Sequence, residues 1–201
     1  MGLEKVAIYR IILAVVIIAC LVLIFFQNTS AITGHATSGT TKSNVSIQYF
    51  MSIDLSTNLQ EGILFGSVAT LPAVDVNASH NYDGGSSATT LYVNTSLDGN
   101  TAVDLCTKAN SGMTTSTGVV LGLGNETYLN ATSTDADIPG PSGDAVALTT
   151  TYAKSGEAVA VGNATFFRFW LDVPAAQAGG DYNNSVLFKT VRTADPGGCG
   201  S

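Results

Sequence analysis

Two of the three cysteines in the chain, Cys106 and Cys199, lie outside its one long apolar run. In an oxidising exterior such a pair is expected to form a disulfide. Alternation along "VDLCTK" places Cys106 on one strand face with Asp104 and Lys108, opposite Val103 and Leu105, so its thiol faces outward. The tail "DPGGCGS" is long enough to lie over that face. Two alternatives stay open. An odd cysteine count allows a bond between subunits, and metal ligation would need partners that no CxxC or nearby His pair supplies. Cys20 lies inside the apolar run, as a small apolar side chain. Its "IIAC" context looks like a lipoprotein cleavage box, but the run continues through "LVLIFF", which such a box does not need.

The second chemistry is modification. Eight Asn-X-Ser/Thr triplets, none with Pro in the middle, occur at Asn28, Asn44, Asn77, Asn94, Asn125, Asn130, Asn163 and Asn183. With 13 Asn and 42 Ser or Thr, composition alone yields about three. The excess predicts covalent N-glycans on an exterior surface. Asn44, Asn94 and Asn183 alternate with apolar neighbours and belong on solvent faces. Asn163 reads in register with Phe167 and Phe169, and fits only beyond a strand end.

Other chemistry is scarce. His35 and His80 are the two histidines and have no metal-ligand spacing; neither GxSxG nor HExxH occurs, and "GLGNET" lacks the third glycine of a dinucleotide loop. "DGNTAVD", residues 98–104, departs from a calcium loop at its fifth and sixth positions and reads as a turn. The expectation is a non-enzyme with no catalytic, cofactor-binding or metal residues and no cofactor. A net charge of −7 with 11% charged residues argues against nucleic acid.

These groups need a scaffold. Residues 11–26, "IILAVVIIACLVLIFF", are charge-free and follow Lys5 and Arg10. Taken over residues 6–26 they predict a membrane-spanning helix with a cytoplasmic N-terminus. A cleaved signal, with small-residue cuts at 29–31 or 34–36, and a helix packed in a fibre core are the alternatives. Four segments follow: 1–30 anchor or fibre-core helix, 31–43 Ser/Thr-rich linker, 44–195 β domain, 196–201 tail.

Beyond residue 43 the period is two. Strands are expected at 44–56, 62–68, 89–97, 101–108, 118–123, 127–130, 145–152, 158–161, 164–173 and 182–193, with "LDGNT" as a hairpin turn. About ten short strands predict an all-β, antiparallel sandwich or jelly roll behind one hydrophobic helix. Two stretches offer interfaces. "NVSIQYFMSIDLS" puts Val45, Ile47, Tyr49, Met51 and Ile53 on one face, able to pair within its own sheet or with a neighbour's. "FFRFWLDV" has Phe167, Phe169, Leu171 and Val173 on one face, and Phe166, Arg168 and Trp170 on the other. That second face needs a covering layer, a loop, another subunit or a bound sugar.

The helix and linker, "VDLCTKAN", and the closing "FRFWLDVPAAQAGGDYNNSVLFKTVRT" with its terminal Cys resemble archaeal secreted β-sandwich surface proteins, including pilin-like and biofilm-fibre subunits. The resemblance implies strand sharing between copies, in which an N-terminal strand completes a neighbour's sheet edge. Gly2 is followed by "LEKVAIYR", which departs from the uncharged helix start of a processed pilin. The expected function is a glycosylated cell-surface or extracellular structural protein that assembles with itself as a filament, pilus or surface layer. The alternative is an anchored adhesin or carbohydrate-binding module.

Overall fold

The computed structural model describes residues 3–27, 42–83, 88–132, 138, 140 and 144–200. Asn28, His35 and most of the predicted 31–43 linker lie outside them. The chain divides into two compact units, Met1–Ser46 and Ile47–Ser201.

In the first unit, α1 spans Leu3–Gln27. Side chains are described at Ile8 and over residues 10–23, and all are exposed. The charge-free part of that stretch, 11–23, rises only ~20 Å at 1.5 Å per residue. Among the described residues no helix is long and apolar enough to cross a membrane. The helix predicted over 6–26 thus falls inside Leu3–Gln27, whereas the predicted crossing is not found.

The second unit is all-β apart from short helical turns. Its strands are β1 Ile53–Leu55, β2 Ala73–Asn77, β3 Tyr92–Thr95, β4 Val103–Ala109, β5 Met113–Thr114, β6 Val120–Leu121, β7 Glu126–Ala131, β8 Val146–Ala147, β9 Ala153–Val159, β10 Ala164–Val173 and β11 Val186–Arg192. A short α2, Thr57–Glu61, follows β1; the Ser56 hydroxyl accepts from Leu59 N–H at its start. One six-stranded sheet runs β1-β3-β10-β7-β8, with β2 also on β10; a three-stranded sheet runs β11-β4-β9; β5 and β6 form a pair. All pairings are antiparallel. The two larger sheets share an apolar cluster in which Phe167, Phe169, Leu91 and Val93 meet Leu105, Ala109 and Phe188. Phe167 meets Phe188 edge-on at 5.3 Å between ring centroids. Such ring pairs contribute ~0.5–1.5 kcal/mol beyond their buried area.

Central β10 forms because both its faces are apolar. Its edge toward β2 and β3 is shared: β3 pairs residues 164–166 and β2 pairs 170–173. The gap is closed by hydrogen bonds from outside the strands. The Asn81 amide donates to Phe169 O at 2.7 Å and accepts from Phe169 N–H at 3.0 Å. Ala78 N–H also donates to Phe169 O, Phe167 N–H to Leu91 O and the Thr89 hydroxyl to Phe167 O. A side-chain amide thus does the work of a strand residue.

Several expectations change. Of the predicted strand 44–56 only Ile53–Leu55 pairs, and residues 62–68 form no strand. "LDGNT" does turn the chain, but β3 and β4 belong to different sheets, so it is an arch between sheets and not a hairpin. The tail is part of the second unit, with the turn Gly198–Gly200 against β4, β9 and β11.

Candidate functional site

The outward face of β4 is where the disulfide forms. Cys106 and Cys199 are bonded, with Cα atoms 5.6 Å apart across 93 residues of sequence. The tail covers Cys106, which is fully buried. The predicted outward thiol is thus correct in direction, and the tail removes it from solvent. The bond lies within one chain. Beside it, Asp104 sits 2.8 Å from the Lys154 ammonium, which also reaches Glu157 at 3.4 Å. Burial pushes the Asp104 carboxyl up. The Ala158 N–H, Lys154 and the Thr193 hydroxyl more than offset this and hold it below the usual carboxylate range. The arrangement pins strands and tail.

Arg168 and Trp170 are not open to a ligand or a second copy. Both are buried. Arg168 Nε donates to Asn81 O at 3.0 Å, Nη1 donates to Ile138 O, and the guanidinium lies 4.4 Å from the Tyr82 ring centroid. Trp170 Nε1 donates to Asn77 Oδ1 at 2.8 Å. The second apolar face of β10 is therefore covered by segments of its own chain, one of the covers the sequence left open, and Trp170 offers no open platform for a sugar. Phe166 remains half-exposed, 5.7 Å from Tyr92.

The described glycosylation candidates all reach solvent. Asn44, Asn77, Asn163 and Asn183 are exposed, and Asn94, Asn125 and Asn130 half-buried. The fully buried Asn81 belongs to no such triplet. Asn163 sits one residue before β10, beyond the strand end as its register requires. Among the described residues no group of His, Cys, Asp or Glu could hold a metal ion. His80 pairs with Asp83 in a surface loop.

Among the described residues of the second unit, two apolar surfaces bear on assembly. The first is the segment leading into β1. Val45 is 85% exposed, Ile47 76% and Tyr49 61%, and Met51 is also exposed. Within the second unit, backbone contacts with the β3–β4 arch fix residues 48–52. Asn100 Nδ2 donates to Gln48 O, Phe50 N–H to Asn100 Oδ1, Asn100 N–H to Phe50 O and Ser96 N–H to Ser52 O. Arg192 lies 4.8 Å from the Tyr49 ring centroid. The segment is thus extended and held by its backbone while its apolar side chains face solvent. Ile53 continues into the sheet, opposite Thr95.

The second is a groove of about 620 Å³ whose walls include Phe65, Val68, Met113, Leu121, Leu171 and Tyr182. It opens over a smaller apolar cluster of Met113, Leu121, Leu171 and Val173. Residues 62–68, predicted as a strand, form no strand, and 63–68 of them make one wall.

These surfaces occupy opposite ends of the β unit. Residues 48–52 lie beside residues 96–100, next to the start of β10, where Thr95 N–H donates to Asn163 O. The groove sits at the β10 end carrying Leu171 and Val173. Nine residue steps from Ala164 to Val173 cover ~30 Å. With Gln48 pinned to the arch, Ile47 cannot reach its own groove, since one further residue extends only ~3.3 Å.

In comparison with known proteins, no family model, no curated protein and no solved structure matches this chain.

Proposed function

We propose that the protein is a non-enzymatic, glycosylated structural subunit of the cell surface or extracellular space. Its β unit is a sandwich of the jelly-roll kind, and it assembles end to end with copies of itself. The observation that carries this reading is the pairing of a bare period-two apolar segment at one end with an open groove, floored by Met113, Leu121, Leu171 and Val173, at the other. A segment that cannot fill its own groove can fill a neighbour's. Because the two patches differ, the contact is heterologous, and repetition without closure produces a filament. Edge-on presentation of an extended segment to a neighbouring sheet is a recurrent way of joining β proteins.

Helix α1 belongs to the same picture. Its described apolar side chains are exposed all round, so it needs a bilayer or like helices to cover it. N-glycans on the exposed triplets would keep the flanks of such a filament soluble and unpaired.

The rival is a displayed adhesin or carbohydrate-binding module. Electron microscopy of the full chain separates the two. Filaments are expected from the native protein, and their loss is expected in Ile47→Asp/Met51→Asp with the circular dichroism spectrum unchanged. A native protein that remains monomeric at high concentration would favour the rival.

A further inference from the structure

The outward face of β3 carries three residues in a row at period two: Thr90 just before the strand, then Tyr92, then Asn94. Their alternating partners Leu91, Val93 and Thr95 are buried in the core. Tyr92 is 36% exposed. Its ring rests on Phe166, the residue opposite it on β10, with centroids 5.7 Å apart. On the same face Asn94 is flanked by Ala164 on β10 and Asp54 on β1. Ala164 is small enough to leave room above it. On the far side of Tyr92 lies a hollow of about 220 Å³ lined by Ser56, Thr57, Asn58, Thr90 and Tyr92. Asn58 Nδ2 donates to the Thr90 hydroxyl at 2.6 Å, which leaves the second amide hydrogen and the carbonyl of Asn58 for another partner.

Anchor, ring and polar hollow thus follow one another along a single strand face. We infer that a glycan on Asn94 folds back along β3, with its first sugar on the Tyr92 ring and its second in the hollow of Thr57, Asn58 and Thr90. Attachment joins Asn94 Nδ2 to C1 of the first sugar of a lipid-linked oligosaccharide, with release of the lipid pyrophosphate and a proton. The i and i+2 spacing sets Asn94 ~6.7 Å from Tyr92, the breadth of one pyranose, and ~13 Å from Thr90, the reach of two. The apolar C–H face of a pyranose gains by covering an exposed ring, and its hydroxyls find an amide and hydroxyls in the hollow.

The other described triplets lack this setting. Two residues before Asn130 the ring is Tyr128, which is buried. No ring stands two residues before Asn44, Asn77, Asn125, Asn163 or Asn183. The glycan of Asn94 is therefore a structural part of the β unit.

The inference rests on the glycosylated-surface reading above, and the test separates the two. The full chain is secreted from a host that transfers N-glycans with a di-N-acetylglucosamine core, as wild type, Tyr92→Leu, Asn94→Gln and the double variant. Site occupancy is mapped by mass spectrometry and Tm is measured for each. Loss of the glycan through Asn94→Gln should lower Tm by about 3 °C when Tyr92 is present and by much less when it is Leu. Sugar C–H resonances of the Asn94 glycan should be shifted upfield by the ring in wild type and normal in Tyr92→Leu. An occupied Asn94 with equal Tm losses and unshifted sugar resonances overturns the inference and leaves glycosylation standing. Glycans at other triplets but not at Asn94 do the same. No glycan at any triplet overturns both.

Discussion

Glu126 is the residue whose placement costs the fold most plainly. It begins β7, is buried, and receives one hydrogen bond, from Asn184 Nδ2 to Oε2 at 2.6 Å; Oε1 has no partner. Burial pushes its carboxyl above the ordinary range, with the Asn184 hydrogen bond opposing. A group whose folded pKa is raised binds its proton more tightly in the folded state. Its contribution is most favourable below the unfolded value of 4.5 and is lost as pH rises through the folded one. Glu126→Gln should therefore stabilise the protein by ~1–2 kcal/mol at pH 7.5, with the gain fading towards pH 4. Urea titrations at both pH values check this, and equal gains at both would contradict the assignment. Asp104 has the opposite sign. Its depressed carboxyl contributes stability above the unfolded value, lost as pH falls through the folded one. Neither behaviour was legible in the sequence, where Glu126 appears as the middle residue of an Asn-Glu-Thr triplet.

Strand β10 was legible to the residue, because ten consecutive positions with two apolar faces admit few alternatives. Its neighbours were harder. β9 is "AKSGEAV", with Ser155, Gly156 and Val159 toward the core. Period-two hydrophobicity is absent because the sheets approach closely there: a Cβ on Gly156 would stand 2.8 Å from Thr165 Oγ1 and 3.2 Å from Leu105 Cβ. Residues 62–68 show the reverse failure, since an apolar stretch can line a groove without pairing. Asn81 depends on a gap between β2 and β3 that exists only once both are on β10, so nothing local announces it. Asn81→Ala removes both hydrogen bonds from the Phe169 backbone and leaves buried polar groups unsatisfied. The expected cost is about 3 kcal/mol, measured by chemical denaturation. A cost below 1 kcal/mol would mean the gap closes by itself.

For the whole molecule the disulfide sets a floor under the β unit. It ties the tail to β4 across 93 residues, and constraining the unfolded chain over such a loop is worth ~4–5 kcal/mol. Cys106→Ser/Cys199→Ser should lower stability by that order while retaining antiparallel sheet by circular dichroism. A loss under 1 kcal/mol would place the tail outside the cooperative unit. The all-β class and the paired cysteines could be read from alternation and cysteine placement. That the Arg168 and Trp170 face needs cover could be read as well, but which segments supply it could not, because the cover comes from Asn77, Asn81, Tyr82 and Ile138, distant in sequence.

The central claim is that one subunit's segment fills the next subunit's groove. Sedimentation velocity on complementary variants tests it most directly. Ile47→Asp/Met51→Asp spoils the segment and spares the groove. Leu64→Asp/Val68→Asp spoils the groove wall and spares the segment. In a mild detergent that covers α1, each variant alone should sediment as a folded monomer, and an equimolar mixture should form a one-to-one dimer that grows no further, because only one productive contact remains between the β units. A mixture that stays monomeric while the wild type assembles, or single variants that still form filaments, would contradict the account.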